Sequence, residues 1–208
     1  MDASPPCRPL TRADYRFDAV LAITIFVGAL ISAALSSVGG VYGDAQQSSM
    51  ALAIGYAAVV SFPRAFRRRW PSIVAIIVSL AYFAAVSLRI PEMFAGSIAM
   101  FVALYTIGAW STDRRRARIV RIALIAGMFI WLLVVMFQQA TAPTDIGISR
   151  AGSFSPFVAM TLFNLMINAL YFGGAYYLGD RAWNSGLQRA ALEQRTAELE
   201  AEREVTAA

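Results

Sequence analysis

Six apolar stretches, most of them near the length of a bilayer crossing, constrain this chain more than any other feature. They cover residues 19–38, 48–62, 71–88, 92–110, 119–137 and 156–178. A helix rises about 1.5 Å per residue, so about 20 apolar residues cross a hydrocarbon core of about 30 Å. The second stretch is short for this and is expected to begin earlier, near Ala45. Proline opens the third and the sixth, at Pro71 and Pro156, where the first turn of a helix does not need the N–H that proline lacks. Charged residues make up 15% of the chain and hydrophobic ones 58%, against about 25% charge in a soluble domain. The fold expected is all-α, an integral membrane six-helix transmembrane bundle with a C-terminal cytoplasmic helix. Its parts are a flexible tail over 1–18, six spans over 19–178 and a cytoplasmic helix over 179–208.

A signal peptide is the rival reading of the first stretch, because Arg8, Arg12 and Arg16 precede it and Ser32-Ala33-Ala34 mimics a cleavage site. A signal-peptide core has about 7–15 apolar residues. This stretch is longer and five more follow it, which favours a span.

The basic residues set the orientation. All 18 are arginine. With the N-terminus inside, the inner segments hold 16 of the 18 and the outer segments only Arg89 and Arg150. Cytoplasmic loops carry such an excess. The expectation is a multi-pass plasma-membrane protein with both termini cytoplasmic and the lipid bilayer as its surroundings. Arginines placed beside apolar stretches are explained by topology, so nucleic acid is not expected as a partner. Trp70, Trp110 and Trp183 fall near the inner boundary, as interfacial aromatics do. Trp131 lies inside the fifth span.

The chain contains no histidine and a single cysteine, Cys7. That removes a Ser-His-Asp triad, histidine-held metal or haem, an internal disulfide and a thiolate metal cage. Gly39-Gly40 and Gly173-Gly174 lack the spacing of a phosphate loop. Asp18 and Glu92 are placed at span ends, so no carboxylate is expected deep in a span as a proton relay would need. No catalytic residue, cofactor or metal is assigned. The most polar intramembrane feature is Asn164 with Asn168, four apart and on one helical face, either as interhelical packing bonds or as part of a signal relay. Small residues at four-residue spacing, Gly28–Ser32 and Ala29–Ala33–Ser37, fit close helix packing. Arg89 and Glu92, with Asp44, Asp145 and Arg150 near them in the topology, are the candidates for a shallow outer polar site.

The tail beyond Leu187 is rich in good helix formers. Leu178, Leu192 and Leu199 fall on a heptad lattice, with Ser185 in the gap, and Trp183, Leu187 and Ala190 begin a second seam. Both seams are weak. A two-stranded coil here would be marginal, and Gly186 is expected to let the junction bend. Leu187, Leu192 and Leu199 are the candidate relay contacts. The last residue, Ala208, stands in helix-forming sequence without a cap, which is the pattern of a truncated protein.

Three stretches carry a resemblance. Phe62-Pro-Arg-Ala-Phe-Arg-Arg-Arg-Trp-Pro71, Leu104-Tyr-Thr-Ile-Gly-Ala-Trp-Ser-Thr-Asp-Arg-Arg-Arg116 and Gln194-Arg-Thr-Ala-Glu-Leu-Glu-Ala-Glu-Arg-Glu204, in that order and within a six-span layout, resemble the N-terminal membrane region of actinobacterial two-component sensor histidine kinases. The subfamily is the one related to nitrate sensors and the membrane-thickness thermosensor. The resemblance implies a sensory input domain, a homodimer, and a kinase core or response-regulator system encoded in the same locus. It does not carry kinase activity to this chain, which has neither the phosphoacceptor histidine nor an ATP-binding motif. The competing class is a small multispan transporter or transport subunit with a partner-docking tail. Such proteins have internal repeats with helices broken at mid-membrane, whereas here the prolines stand at span ends.

Overall fold

The computed structural model describes residues 11–40, 48–92, 94–141 and 155–207. Among them are six α-helices and one 3-10 turn. The helices are α1 (Arg12–Val38), α2 (Met50–Ser61), α3 (Pro71–Ser87), α4 (Ala95–Trp110), α5 (Arg114–Thr141) and α6 (Pro156–Ala207), and the turn is Phe62–Phe66, directly after α2. No strand occurs among the described residues. Residues 1–10, and the outer charges Asp44, Asp145 and Arg150, lie outside them.

Short polar groups fix most of the helix starts. The Thr11 hydroxyl accepts from the Asp14 N–H while the Asp14 carboxylate accepts from the Thr11 N–H, at 3.3 and 3.0 Å. This reciprocal cap starts α1 seven residues ahead of the apolar stretch, so Arg12 to Asp18 are helical and do not belong to a flexible tail. Ser49 caps α2 and Ser155 caps α6 through their hydroxyls. Asp113 accepts from the Arg116 N–H at the head of α5, at 2.9 Å. Pro71 opens α3.

Three helices are long and apolar enough to cross a membrane, over Arg12–Val38, Arg114–Gln138 and Pro156–Thr206. The other three apolar elements, Met50–Phe66, Pro71–Ser87 and Ala95–Trp110, are shorter. The 17 residues of α3 reach only about 26 Å at the helical rise. The short second stretch is resolved by tightening, because α2 gives way at Phe62 to the 3-10 turn, which gains about 2.0 Å per residue.

Packing is inside-out by the standard of a soluble domain. The buried residues are largely small: Ala22, Ala29 and Ala33 on α1, Ala53 and Ala57 on α2, Ala75 on α3, Ala99 and Ala103 on α4. Large side chains such as Val20, Ile23 and Leu35 on α1, Ile130 and Phe137 on α5, and Phe163 and Leu170 on α6 are exposed. An aqueous exterior does not support an apolar belt on this scale; a bilayer does, and small residues then let helix backbones approach. Ala29 and Ala33 of the small-residue pattern are buried, while Gly28 faces open space. The most enclosed helix is α4, with nine of its 16 residues buried. It packs against both α3 and α6, and α1 lies on α2 and the 3-10 turn.

The last helix carries the sixth apolar stretch directly into the tail. It runs unbroken for 52 residues from Pro156 to Ala207, so the sixth apolar stretch and the tail are one element and Gly186 does not interrupt it. At about 1.5 Å per residue this is about 78 Å of helix, more than twice a hydrocarbon core.

Candidate functional site

The charged groups gather at one end of the packed helices, where α1 begins, α2 turns into α3, α4 turns into α5, and α6 leaves the others. Two arginine–aspartate clusters form there.

The first joins α1 to the 3-10 turn. Asp14 and Asp18 are one helical turn apart and share a face. Arg67 reaches Asp18 Oδ1 through Nε at 3.0 Å and Nη2 at 2.7 Å. Arg68 reaches Asp18 Oδ2 through Nε and Asp14 Oδ1 through Nη1, each at 2.7 Å. Asp18 is 2% exposed. At the boundary of the first apolar stretch it is therefore an enclosed, paired carboxylate and not a solvated one. The Arg68 guanidinium also stands over the Trp110 ring at 4.6 Å, which ties the cluster to the last residue of α4.

The second cluster holds α6. Asp180 Oδ1 accepts from Arg114 Nη2 and from Arg121 Nη1, each at 2.7 Å. Arg114 donates through Nη1 to the Gly108 carbonyl at 2.6 Å and stacks on Trp183 at 4.9 Å. Arg121 donates to the Tyr176 carbonyl and lies over the Tyr176 ring. Both arginines belong to α5, so one carboxylate of α6 is gripped from α5 while the grip is braced on α4. Partial burial pushes the Asp180 carboxyl up, but the hydrogen bonds and charges of Arg121 and Arg114 outweigh it and hold the group below its ordinary 3.8.

At the same level α4 and α6 meet backbone to backbone. A Cβ on Gly179 would lie 2.9 Å from the Tyr105 carbonyl oxygen and 3.2 Å from the Gly108 Cα. A Cβ on Gly108 would lie 2.9 Å from both the Gly179 Cα and Arg121 Nη1. Two glycines are thus needed where the helices cross. Beyond Trp183 the burial of α6 falls away. Leu187 is half-buried, and from Ala191 onward the described side chains are exposed, Leu192 and Leu199 included.

The Asn164–Asn168 pair is placed differently from a packing bond between helices. The Asn168 amide donates to Asn164 Oδ1 at 2.7 Å and to the Asn164 carbonyl at 2.9 Å, on an exposed face of α6. The two bond to each other and leave a polar patch on an apolar exterior. At the opposite end, Glu92 accepts from the N–H groups of Phe94, Ala95 and Gly96 at 2.9, 2.6 and 2.9 Å, which commits its carboxylate to the head of α4. Arg89 has a left-handed backbone, φ 52°, and its carbonyl accepts from Ser48 N–H. Arg89 and Glu92 therefore build a turn and a helix cap.

Sequence reasoning misses Asp14, Asp18, Asp180, Arg114 and Arg121 as partners, because topology alone accounts for the arginines beside the apolar stretches. The available signal was the spacing of Asp14 and Asp18 on one face ahead of a span. The three tryptophans Trp70, Trp110 and Trp183 share one arrangement, each beneath an arginine: Trp70 under Arg69, Trp110 under Arg68 and Trp183 under Arg114.

A family model described as Domain of unknown function (DUF7134) matches residues 8–182. No curated protein and no solved structure matches the chain.

Proposed function

We propose that this chain, which belongs to the DUF7134 family, is a membrane-embedded sensory input module that passes a membrane or envelope signal to a kinase core through α6. In this reading all six helices lie in the plasma membrane and both ends face the cytoplasm. The chain works as a homodimer and does not itself catalyse phosphoryl transfer. The observation that carries it is the continuity of α6. One helix is enclosed at Gly179, gripped at Asp180 and bare beyond Ala191, so a rotation or slide of its upper half reaches its lower half without a joint. The family match ends two residues past Asp180, so the grip lies inside the matched domain and the bare helix outside it.

The exposed faces support pairing of two copies. Asn164 and Asn168 leave amide groups on an apolar exterior, where a second copy supplies partners that lipid does not; such bonds contribute about 0.6–2 kcal/mol each. Leu192 and Leu199 are seven apart and uncovered by any described residue. A weak seam suits a switch, since a gap of a few kcal/mol can be biased by a stimulus.

The test is cysteine crosslinking in native membranes, with Cys7→Ser as background and single cysteines from Leu187 to Val205. Crosslinks with heptad periodicity are expected. Absent crosslinks in a well-expressed series refute the paired relay. Reporter fusions after Arg69 and Arg116 should read cytoplasmic, and one near Asp44 should read outside; a cytoplasmic signal at Asp44 refutes the topology.

A further inference from the structure

Acid and base are sorted by face on the first two turns of α1. Residues two apart on a helix point about 200° apart, so Arg12 and Arg16 stand opposite Asp14 and Asp18. The aspartates turn inward to Arg67 and Arg68, while the two arginines are exposed. Their face continues along the helix as Val20, Ile23 and Val27, all exposed and at helical spacing from Arg16. The start of α5 repeats the arrangement. Arg114 and Arg121 turn to Asp180. Arg115 and Arg118 are exposed, and each leads, one helical turn on, into an exposed isoleucine, Ile119 and Ile122 respectively.

These four outward arginines have no acidic partner among the described residues; the ion pairs of this end engage Arg67, Arg68, Arg114 and Arg121 instead. Asp113, just ahead of them on α5, accepts from the Arg116 N–H as a helix cap. The outward surface therefore carries unpaired positive charge, although Asp14, Asp18 and Asp180 lie close behind it. An arginine at the head of an exposed apolar stripe lays its alkyl stem on hydrocarbon and keeps its charged head at the polar boundary. That boundary is where lipid phosphates stand. A soluble acidic partner, protein or nucleic acid, would meet the arginines but has no use for the valine and isoleucines that continue each stripe.

We propose that the Arg12–Arg16 and Arg115–Arg118 pairs are two headgroup sites for anionic phospholipids of the cytoplasmic leaflet. The inference rests on the membrane placement and orientation proposed above. The guanidinium fork matches phosphate geometry, and a basic side chain beside an anionic leaflet is drawn to its surface potential. A lipid held at the first site packs its chains on Val20 and Ile23, and one held at the second on Ile119 and Ile122. The second site shares its two turns of α5 with Arg114 and Arg121. The anionic-lipid content of the leaflet therefore bears on the helix that grips α6.

The experiment reconstitutes the full chain in phosphatidylcholine vesicles and measures, by electron spin resonance, how much spin-labelled lipid is immobilised at the protein. Phosphatidylglycerol should associate several-fold more strongly than phosphatidylcholine, and the preference should fall as salt rises. Arg12→Gln with Arg16→Gln should remove one part of it, Arg115→Gln with Arg118→Gln another, and all four changes together most of it. Arg195→Gln with Arg203→Gln, on the bare part of α6, removes as much charge as either pair and should leave the preference unchanged. If the fourfold variant does not fold, the two double variants decide. Equal association of the two lipids with the parent chain, or double variants that behave like the tail control, overturns the proposal. The reporter fusions separate this from the underlying topology. Fusions that read as expected beside equal lipid association remove the headgroup sites alone, whereas an external signal after Arg69 and Arg116 refutes the orientation and with it the leaflet named here.

Discussion

The two arginine–aspartate clusters use the same chemistry at the same end of the molecule, yet they differ in enclosure. In the first, Asp18 is almost fully buried, and Arg67 and Arg68 together occupy both of its oxygens. In the second, the Asp180 side chain is 34% exposed and a single oxygen serves two arginines. Water reaches the carboxylate of the second cluster more readily than that of the first, 34% against 3% side-chain exposure. A sealed pair is an anchor, because breaking it strands a charge. A half-open pair can exchange partners at low cost, and here it sits on the one helix that leaves the domain. The difference assigns holding to the α1 cluster and adjustability to the α6 cluster.

The largest effect should follow from Asp18→Asn. It leaves Arg67 and Arg68 with one buried partner fewer, and removing one member of a buried pair costs about 3–5 kcal/mol. Thermal unfolding in detergent should show this as a large drop in Tm, or as failure to accumulate folded protein. If Asp18→Asn costs no more than the equivalent change at Asp180, the contrast between the clusters collapses. Gly179→Val should come next. Its side chain has to displace the Tyr105 carbonyl and the Gly108 backbone, and overpacking of this kind costs about 1–3 kcal/mol. Gly173→Ala, a turn and a half away with nothing within 4 Å of the new methyl, serves as the control and should be neutral or slightly stabilising by helix propensity. Equal outcomes for the two glycines would remove the close crossing of α4 and α6 from the account.

The sequence made the helical class plain because apolar runs and bounding arginines are both one-dimensional signals. The third stretch begins at Pro71, as the proline requires, and the sixth begins at Pro156. What stayed hidden needed two distant segments at once. Asp14 and Asp18 read as tail charges because three prolines precede them, and only the cap at Thr11 turns them into a helix face. Asp180 lies 59 residues from Arg121, and nothing local marks the pair. Glu92 was visible as a charge at a span boundary, but its use as a cap depends on the backbone direction at Phe94. The continuity of α6 was half legible. Helix formers on both sides of Gly186 favoured it, and the propensity cost of one glycine, about 1 kcal/mol, was too small to break a helix already propagating from both sides.

The smallest effect, and the sharpest probe of the comparison, belongs to Asp180. The Asp180→Asn change keeps the shape and removes the charge that Arg114 and Arg121 share. For a pair this exposed, solvent screening limits the loss to about 1 kcal/mol or less at neutral pH. The pH dependence identifies it. Asp180 titrates below its ordinary 3.8 in the folded protein, so its contribution is fully present above that value and is lost as pH falls below it and through the folded pKa. The difference in Tm between the parent chain and Asp180→Asn should therefore be constant at neutral pH and shrink toward zero in acid below the ordinary carboxylate value. Raising the salt concentration should shrink it as well. A difference that is large, indifferent to salt and unchanged in acid would mean that Asp180 is as sealed as Asp18, and the α6 grip would then be a second anchor with no adjustable part.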